Sequence, residues 1–231
     1  MTTTADALVG RTLASDVLHR MRADIVGAHL LPGERLRFES LRERYRASFS
    51  TLREALAHLV RDGLVMAEGQ RGFRVAPVSR ADLLDLIETL LLIEREALRL
   101  SLLRGDAAWQ DAVAQAFARL DAARQQASPG TVRTSPDWNR GRRAFHDALV
   151  GACPSRTLLE IRAGLGLREE RYRTLAARLR PEDAGPVDSR RDLCEAALAR
   201  DSRRARVLIE AQIRRFCDRV MQDVAALRID G

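Results

Sequence analysis

The sequence contains no lysine, and it is poor in cysteine and in aromatic residues. The three cysteines, Cys153, Cys194 and Cys217, are widely spaced among apolar residues, so neither a disulfide framework nor a zinc ribbon is indicated. No apolar run approaches the roughly 18 residues that a membrane span needs, and no apolar stretch follows a basic start at the N-terminus. We therefore expect a cytoplasmic protein without a signal peptide or a transmembrane anchor.

The charge of the chain has one dominant source, which is arginine. All 39 basic residues are arginines, against 32 acidic residues, and the formal net charge is +7. Such an excess favours a polyanionic partner, because arginines release counterions when they meet phosphates. A G+C-rich coding sequence would produce the same preference for arginine over lysine, so the charge alone does not identify nucleic acid. The hydrophobic content of 46% is that of a folded protein.

The N-terminal third of the chain has the pattern of a winged helix. Apolar spacing predicts helices over residues 11–29, 38–46 and 50–63, with Ser50 as the N-cap of the third. The period then changes to short strand-like runs at 64–67 and 73–76, on either side of a glycine-containing turn. Three helices followed by one hairpin predict a winged helix-turn-helix.

The remainder of the chain is predicted to be entirely helical. Pro77 and Ser79 mark a hinge, so we place a DNA-binding domain at 1–77, with 1–10 disordered, a linker at 78–80 and a second domain at 81–231. Periodicity and helix breakers predict that a helix starting near Ala81 is followed by others at 108–126, 137–151, 155–179, 187–199 and 202–227. The expected fold class is mainly α, a winged helix joined to a bundle of six or seven helices.

The start of the third helix is the predicted site of DNA contact. In a helix-turn-helix the second helix of the pair enters the major groove with its N-terminal residues against base edges. Ser48, Ser50 and Thr51 can contact phosphates there, and Arg53 can reach guanine O6 and N7 or clamp a phosphate. The alternative is that Arg53 is only a solvated helix residue.

Four separated motifs in this region resemble the winged-helix domain of GntR-type regulators. They are LPGERL at 31–36, STLREAL at 50–56, LVRDGLV at 59–65 and RGFRV at 71–75. The resemblance implies that Arg35 contacts DNA. It also implies that Gln70, Arg71, Gly72 and Arg74 form the wing, which in this family enters the minor groove. Phe49 departs from the family, whose members often carry a polar or basic residue there.

The helical half resembles the FCD class of GntR ligand domains, which dimerise and enclose a small-molecule cavity. The likeness is carried by the DLLDL segment at 82–86 with Glu94, AFHDAL at 144–149, and the segment from Glu195 to Asp201. Many FCD domains hold a divalent metal with one acidic residue and three histidines. The resemblance implies that those four positions are Arg142, His146, Arg190 and Gln212 here.

Two arginines in a metal-ligand set change the expected chemistry. A guanidinium stays charged near neutral pH and repels a divalent cation, so we expect no metal and no cofactor. Arg142 and Arg190, with His146 and Gln212, would instead hold an anionic ligand, because arginine matches a carboxylate with two parallel hydrogen bonds.

Other interpretations of these residues stay open. His146 could be a hydrogen-bonded core residue, and Arg142 and Arg190 could lie at the surface, paired with Asp147 or Glu195. Arg171 and Tyr172, in the middle of a long predicted helix, could line the pocket or belong to a packed or solvated helix face. Leu90 stands where the family often places an arginine that engages the ligand carboxylate. Trp109 and Trp138 are expected to be packing residues.

The resulting functional hypothesis is a homodimeric repressor that binds a palindromic double-stranded DNA operator. A carboxylate or hydroxy-dicarboxylate effector would release it by favouring a dimer geometry that no longer fits the operator. One alternative is a constitutive DNA-binding regulator whose effector cavity is non-functional. Another is a helical enzyme, for which the sequence offers no nucleophile elbow, phosphate-binding glycine loop or paired histidines at metal spacing.

Overall fold

Two units make up the chain, residues 1–78 and 79–231. The computed structural model describes residues 13–69, 72–128, 130–179 and 188–226, so the predicted disorder of 1–10 lies outside the described residues. The elements of the first unit are α1 (Leu13–Val26), β1 (Arg35–Leu36), α2 (Phe38–Tyr45), α3 (Phe49–Arg61), β2 (Val65–Ala67) and β3 (Phe73–Val75). Those of the second are α4 (Arg80–Arg104), α5 (Ala107–Gln126), a 3-10 helix (Val132–Thr134), α6 (Pro136–Leu149), α7 (Arg156–Leu179), α8 (Asp188–Leu198) and α9 (Ser202–Ala226).

Helix α3 is held in the first unit by one apolar face. Leu52, Leu56 and Leu59 recur at helical spacing and are fully buried. They belong to the same core as Met21 and Ile25 of α1. Burying each such side chain stabilises the fold by roughly 1.5–3 kcal/mol. The opposite face of α3 is thereby left to solvent.

The sheet of the first unit has three antiparallel strands in the order β1-β3-β2. The hairpin of β2 and β3 was predicted, whereas β1 was not. A strand of two residues has no periodicity to detect, and it forms because Arg35 and Leu36 pair with Arg74 and Phe73 across the hairpin. Helix α1 ends at Val26, earlier than predicted, because Ala28 adopts a left-handed conformation with φ of 54°.

Side-chain caps begin most helices of the second unit. Ser79 accepts a hydrogen bond from the amide of Asp82 at 3.1 Å at the start of α4, as its position predicted. Asp106 caps α5 at 2.8 Å, and Ser135 caps α6 at 3.3 Å. Each cap satisfies an amide that the helix itself leaves unpaired. The loop predicted around 128–135 also contains the short 3-10 helix, which sequence periodicity did not indicate.

The second unit is a bundle with an apolar core contributed by several helices. Helix α5 packs against α6 and α8, and α4 packs against α7 and α9. Trp109 and Trp138 are both buried in this core, as predicted. The mainly helical architecture with a small sheet confirms the predicted fold class. Within the described segments, no helix combines the length and hydropathy needed to cross a bilayer.

Candidate DNA interface and anion site

The first turn of α3 is organised by Ser48, and the prediction that Ser50 caps this helix was wrong. The hydroxyl of Ser48 accepts a hydrogen bond from the amide of Thr51 at 3.2 Å. The same hydroxyl lies 2.9 Å from that of Ser50 and 2.8 Å from that of Thr51. Both serines are exposed and Thr51 is half-buried. Three hydroxyls are therefore clustered at the helix start, where a phosphate can be bound.

Phe49 and Arg53 lie one turn apart on the exposed side of α3. Phe49 is 50% exposed although it is a large apolar residue. The guanidinium of Arg53 lies over its ring, 5.6 Å from the centroid. This distance is within the range of a cation–π contact. The two side chains thus form one exposed arginine–aromatic pair, an association that the sequence analysis did not foresee.

A chain of aromatic contacts links this pair to the hairpin. The rings of Phe38 and Phe49 are 4.2 Å apart, and Phe38 meets the edge of Phe73 on β3 at 6.1 Å. Such contacts fix both the distance and the tilt of the rings. Helices α2 and α3 and strand β3 are therefore joined next to the exposed face of α3.

The remaining predicted DNA contacts lie on or near the sheet. Arg35 is exposed on β1, and Gly72 has a left-handed φ of 92°. Gln70 and Arg71 lie outside the described residues. Arg74 lies on β3 of the hairpin, where it donates to Glu68 at 2.7 Å and to the carbonyl of Gly33 at 2.6 Å.

The second candidate site begins with Arg142 and His146, which lie one turn apart on α6. Arg142 is only 5% exposed and forms an ion pair with Glu170 of α7. Glu170 is 9% exposed and also accepts a hydrogen bond from Arg143 at 2.8 Å. The open alternative that Arg142 lies at the surface, paired with Asp147 or Glu195, was wrong. Burial and the cation of Arg173 lower the pKa of Arg142 to about 10, although the negative charge of Glu170 opposes the fall.

Arg190, on α8, contributes a second cation, and its side chain is half-buried. Its guanidinium lies over the ring of Trp138, 5.2 Å from the centroid, and its buried Nε has no hydrogen-bond partner among the described residues. Burial lowers its pKa to about 9, with further contributions from the positive charges of Arg173 and Arg142. The group still remains charged at neutral pH. A buried cation surrounded by other cations is costly unless an anion joins it.

His146 and Gln212 complete the predicted set. Burial lowers the pKa of His146 well below its ordinary value, and the charges of Arg142 and Arg190 lower it further. His146 is therefore neutral at pH 7. Gln212, on α9, donates to the carbonyl of Ser189 at 2.8 Å, while its buried Oε1 has no partner among the residues that the structure describes.

Helix α7 supplies further charged residues that the sequence analysis missed. Arg173 pairs with Glu169 and lies over the ring of Phe216, 4.1 Å from its centroid. Its Nε is buried, with no hydrogen-bond partner in the described part of the chain. The i, i+4 spacing of Glu169 and Arg173 was visible in the sequence, but only the fold brings this pair near Arg142 and Arg190. We call the set Arg142, Glu170, Arg173 and Arg190 the arginine cluster.

A neighbouring buried pair joins α4 to α7. Glu94 and Arg162 lie 2.8 Å apart, and Arg162 also contacts Asp147 at 2.7 Å. Burial raises the pKa of Glu94 to about 7, and the cation of Arg162 opposes that rise.

Arg171 and Tyr172 do not belong to the arginine cluster, and their place in a ligand pocket stays a prediction. The hydroxyl of Tyr172 donates to Asp82 at 2.8 Å and accepts from the amide of Ser79 at 3.2 Å. The charged groups acting on Arg171 include Asp82 and Arg168. Both residues therefore face the start of α4, because they lie on a different side of α7 from Glu169 and Glu170.

The donor set does not fit the divalent metal of many FCD domains. Arg142 and Arg190 occupy two of the four positions, and a guanidinium has no lone pair to donate. Across the described segments, no three histidine, cysteine, aspartate or glutamate residues are grouped so that they could hold a metal ion. The three arginines of the cluster present guanidinium nitrogens, which are hydrogen-bond donors and not metal ligands.

Comparisons with known protein families agree with both halves of the chain. Residues 13–75 match the family of bacterial regulatory proteins of the gntR type, and residues 85–215 match the FCD domain. The HTH-type transcriptional regulator BphR of Paraburkholderia xenovorans (strain LB400) is 38% identical over 203 residues, covering 88% of this chain and 83% of its own. The HTH-type transcriptional repressor GlaR of Escherichia coli (strain K12) is 31% identical over 198 residues, covering 84% and 89%.

Solved structures share the fold. McbR/YncC of E. coli superposes with a TM-score of 0.72 at 20% identity, covering 94% of this chain and 97% of that one. A GntR-type regulator from Rhodococcus sp. RHA1 gives a TM-score of 0.69 at 22% identity, covering 92% and 98%. With the relatives named as transcriptional regulators, the enzyme alternative is excluded. The chain therefore belongs to the GntR family of bacterial transcriptional regulators, with a DNA-binding domain followed by an FCD domain.

Proposed function

We propose that this regulator is a cytoplasmic repressor that binds a palindromic operator as a homodimer and is released by a small carboxylate. Repression is supported by the 31% identity with GlaR, which is named as a repressor. DNA contact through α3 is supported by its exposed hydroxyls and by Arg53. Two recognition helices of a dimer would enter the major groove about 34 Å apart, one turn of DNA.

The observation that carries the effector proposal is the charge of Arg190, which forms no ion pair with the described residues. Glu170 neutralises Arg142, and Glu169 neutralises Arg173. The largest charge effects on Arg190 all come from other arginines. A carboxylate that bridges Arg190 and Arg142 would supply the missing negative charge through charge-assisted hydrogen bonds. A hydroxyl group of the ligand could donate to Oε1 of Gln212, which has no hydrogen-bond partner among the described residues.

Ligand entry requires side chains or helices to move. The cavity bounded by Arg190, Trp138 and neighbouring side chains of α5 is only about 10 Å³, the space of one water molecule. Because Arg142, Glu170, Arg190 and Gln212 come from four different helices, a ligand between them would change the packing of α6, α7, α8 and α9. Such coupling is what an allosteric release needs, since the ligand must bind one state more tightly than the other.

A ligand-stability test distinguishes this proposal from a constitutive regulator. The melting temperature of the full chain would be measured with a panel of mono- and dicarboxylates, and with sulfate as an ionic control. A ligand at 100 times its Kd should raise the melting temperature by about 5–10 °C. Arg190→Gln should abolish that shift, whereas Arg191→Gln, an exposed neighbour on α8, should retain it.

One observation supports the constitutive alternative: the cavity beside Arg190 and Trp138 has a volume of only about 10 Å³. If no carboxylate shifts the melting temperature of the unaltered protein, the effector proposal fails and that alternative is favoured. For any carboxylate that does raise the melting temperature, release from DNA would be measured by a mobility shift of the protein–duplex complex. A ligand that stabilises the protein but leaves operator affinity unchanged would contradict the coupling.

A further inference from the structure

Phe49 is an exposed aromatic residue in a protein that has few aromatics. The chain contains 6 phenylalanines, 2 tyrosines and 2 tryptophans. Phe49 occupies the first position of α3 and is 50% exposed. Exposing half of a phenylalanine forgoes part of its burial energy, so a large apolar side chain at this position needs a reason.

The ring of Phe49 is held in a defined orientation. It lies 4.2 Å from the ring of Phe38, with an interplanar angle of 30°. Phe38 is supported in turn by Phe73 of β3. These contacts hold the ring in place while half of the residue's surface stays exposed, so α3 presents a positioned apolar group. A rigid aromatic group loses little conformational entropy when it meets a partner.

Arg53 extends this surface with a positive charge. Its guanidinium lies over the Phe49 ring at 5.6 Å, one helical turn further along α3. A cation–π contact restricts the long arginine side chain before DNA is bound. The helix therefore presents an apolar group and a forked donor side by side.

The major groove offers matching chemistry for both groups. Thymine is the one standard base with a methyl group there, and phenylalanine contacts it through apolar atoms. Guanine offers O6 and N7, which arginine binds in bidentate fashion. Four residues of helix rise by about 6 Å, close to two base steps of about 3.4 Å.

We propose that Phe49 is a specificity-determining residue that contacts a thymine methyl group, while holding Arg53 for a guanine about two base pairs away in each half-site. This role rests on the proposed binding of an operator through α3. It assigns base recognition to an apolar side chain at a position where other family members often carry a polar or basic residue. Phe49 thereby supplies a sequence preference without a hydrogen bond, because the methyl group is read by apolar contact.

The first test compares the DNA that different variants select. The full-length protein and its Phe49→Ala variant would each be incubated with a duplex library of random central sequence, and the bound DNA would be sequenced. The unaltered protein should enrich a site with thymine and guanine at fixed separation in each half-site. Phe49→Ala should lose the thymine preference and weaken the guanine preference, because Arg53 no longer lies over the ring, while preferences elsewhere in the site are kept. Leu13→Ala, which alters another exposed apolar residue of the same unit, should select the same site as the unaltered protein.

The second test removes the methyl group from the DNA instead of the ring from the protein. Replacing the selected thymine by deoxyuridine should weaken binding about fourfold per half-site, and about fifteenfold for two. The Phe49→Ala variant should bind both duplexes equally. Phe49→Leu retains an apolar surface but no ring, so it should remain sensitive to the methyl group while its guanine preference weakens.

The possible results separate the two proposals. If the unaltered protein enriches no sequence, operator binding fails and the role of Phe49 falls with it. If a site is enriched but deoxyuridine and Phe49→Ala leave affinity and base preference unchanged, operator binding stands and Phe49 only packs against Phe38. Because the deoxyuridine test needs no altered protein, a folding defect in a variant cannot produce that second result.

Discussion

The DNA-binding unit and the helical unit use arginine in opposite ways. Arg53 is exposed and lies over the ring of Phe49, where we propose that it contacts DNA. Arg142 is buried and depends on Glu170 for its counter-charge, and Arg190 is half-buried. An exposed charge contributes little to the free energy of unfolding, whereas the loss of a buried charge's partner destabilises the fold strongly. Substitutions in the two units should therefore affect different measurements.

The largest effect on stability is expected from Glu170→Gln. This change leaves Arg142 buried without its counter-charge and should cost about 3–5 kcal/mol of unfolding free energy. The melting temperature should fall by roughly 6–15 °C. Glu160→Gln, which breaks an exposed pair with Arg156, is the matched control and should change it by no more than about 2 °C. Equal effects of the two changes would show that the buried pair of Glu170 with Arg142 contributes no more to the free energy of unfolding than an exposed pair.

Arg53→Ala should have the converse effect. Losing one guanine contact in each half-site should weaken specific DNA binding by at least about thirtyfold, with the melting temperature nearly unchanged. The measurement is fluorescence anisotropy with a selected duplex at fixed salt. Arg61→Ala, at the opposite end of α3, serves as the control because its side chain is exposed but far from the helix start. If both variants bind as the unaltered protein does, α3 does not carry recognition.

The buried titratable groups should give opposing responses to acid. The pKa of His146 is lower in the folded state than in the unfolded one, so protonation below about pH 6.5 favours unfolding. The pKa of Glu94 is raised to about 7 by burial, so it takes up protons on folding between about pH 4.5 and 7 and favours the folded state as pH falls. Urea unfolding at pH 5 and pH 7 should therefore show His146→Gln losing less stability on acidification than the unaltered protein. Glu94→Gln should lose more, and the same direction for both variants would contradict these assignments.

The smallest effect concerns the start of α3. Ser48→Ala removes the helix cap and should cost about 1 kcal/mol of unfolding free energy. Ser50→Ala leaves the cap intact and should cost much less. The comparison is made by urea unfolding of both variants. Equal decreases in the free energy of unfolding would show that Ser50 contributes as much to capping α3 as Ser48 does.

Local patterns carried most of what was predictable in the DNA-binding unit. The position of Arg53 one turn into a helix follows from spacing alone, and so does the hairpin after Gly63. Ser48 was missed as the cap because Ser48 and Ser50 are both good capping residues, and which one caps depends on where the preceding turn ends. Strand β1 and the contact of Phe38 with Phe49 were missed because they join residues that are distant along the chain.

The sequence by itself determined the family, the order of elements and the replacement of metal ligands by arginines, because each of these is written in contiguous motifs. Only the tertiary structure decided that Glu170 neutralises Arg142, that Arg173 joins the cluster, and that Tyr172 turns away to Asp82. These outcomes depend on the rotation of α7 against α4, α6 and α8. That rotation is set by packing over the whole bundle, since a helix face acquires its charge partners only when neighbouring helices are in place.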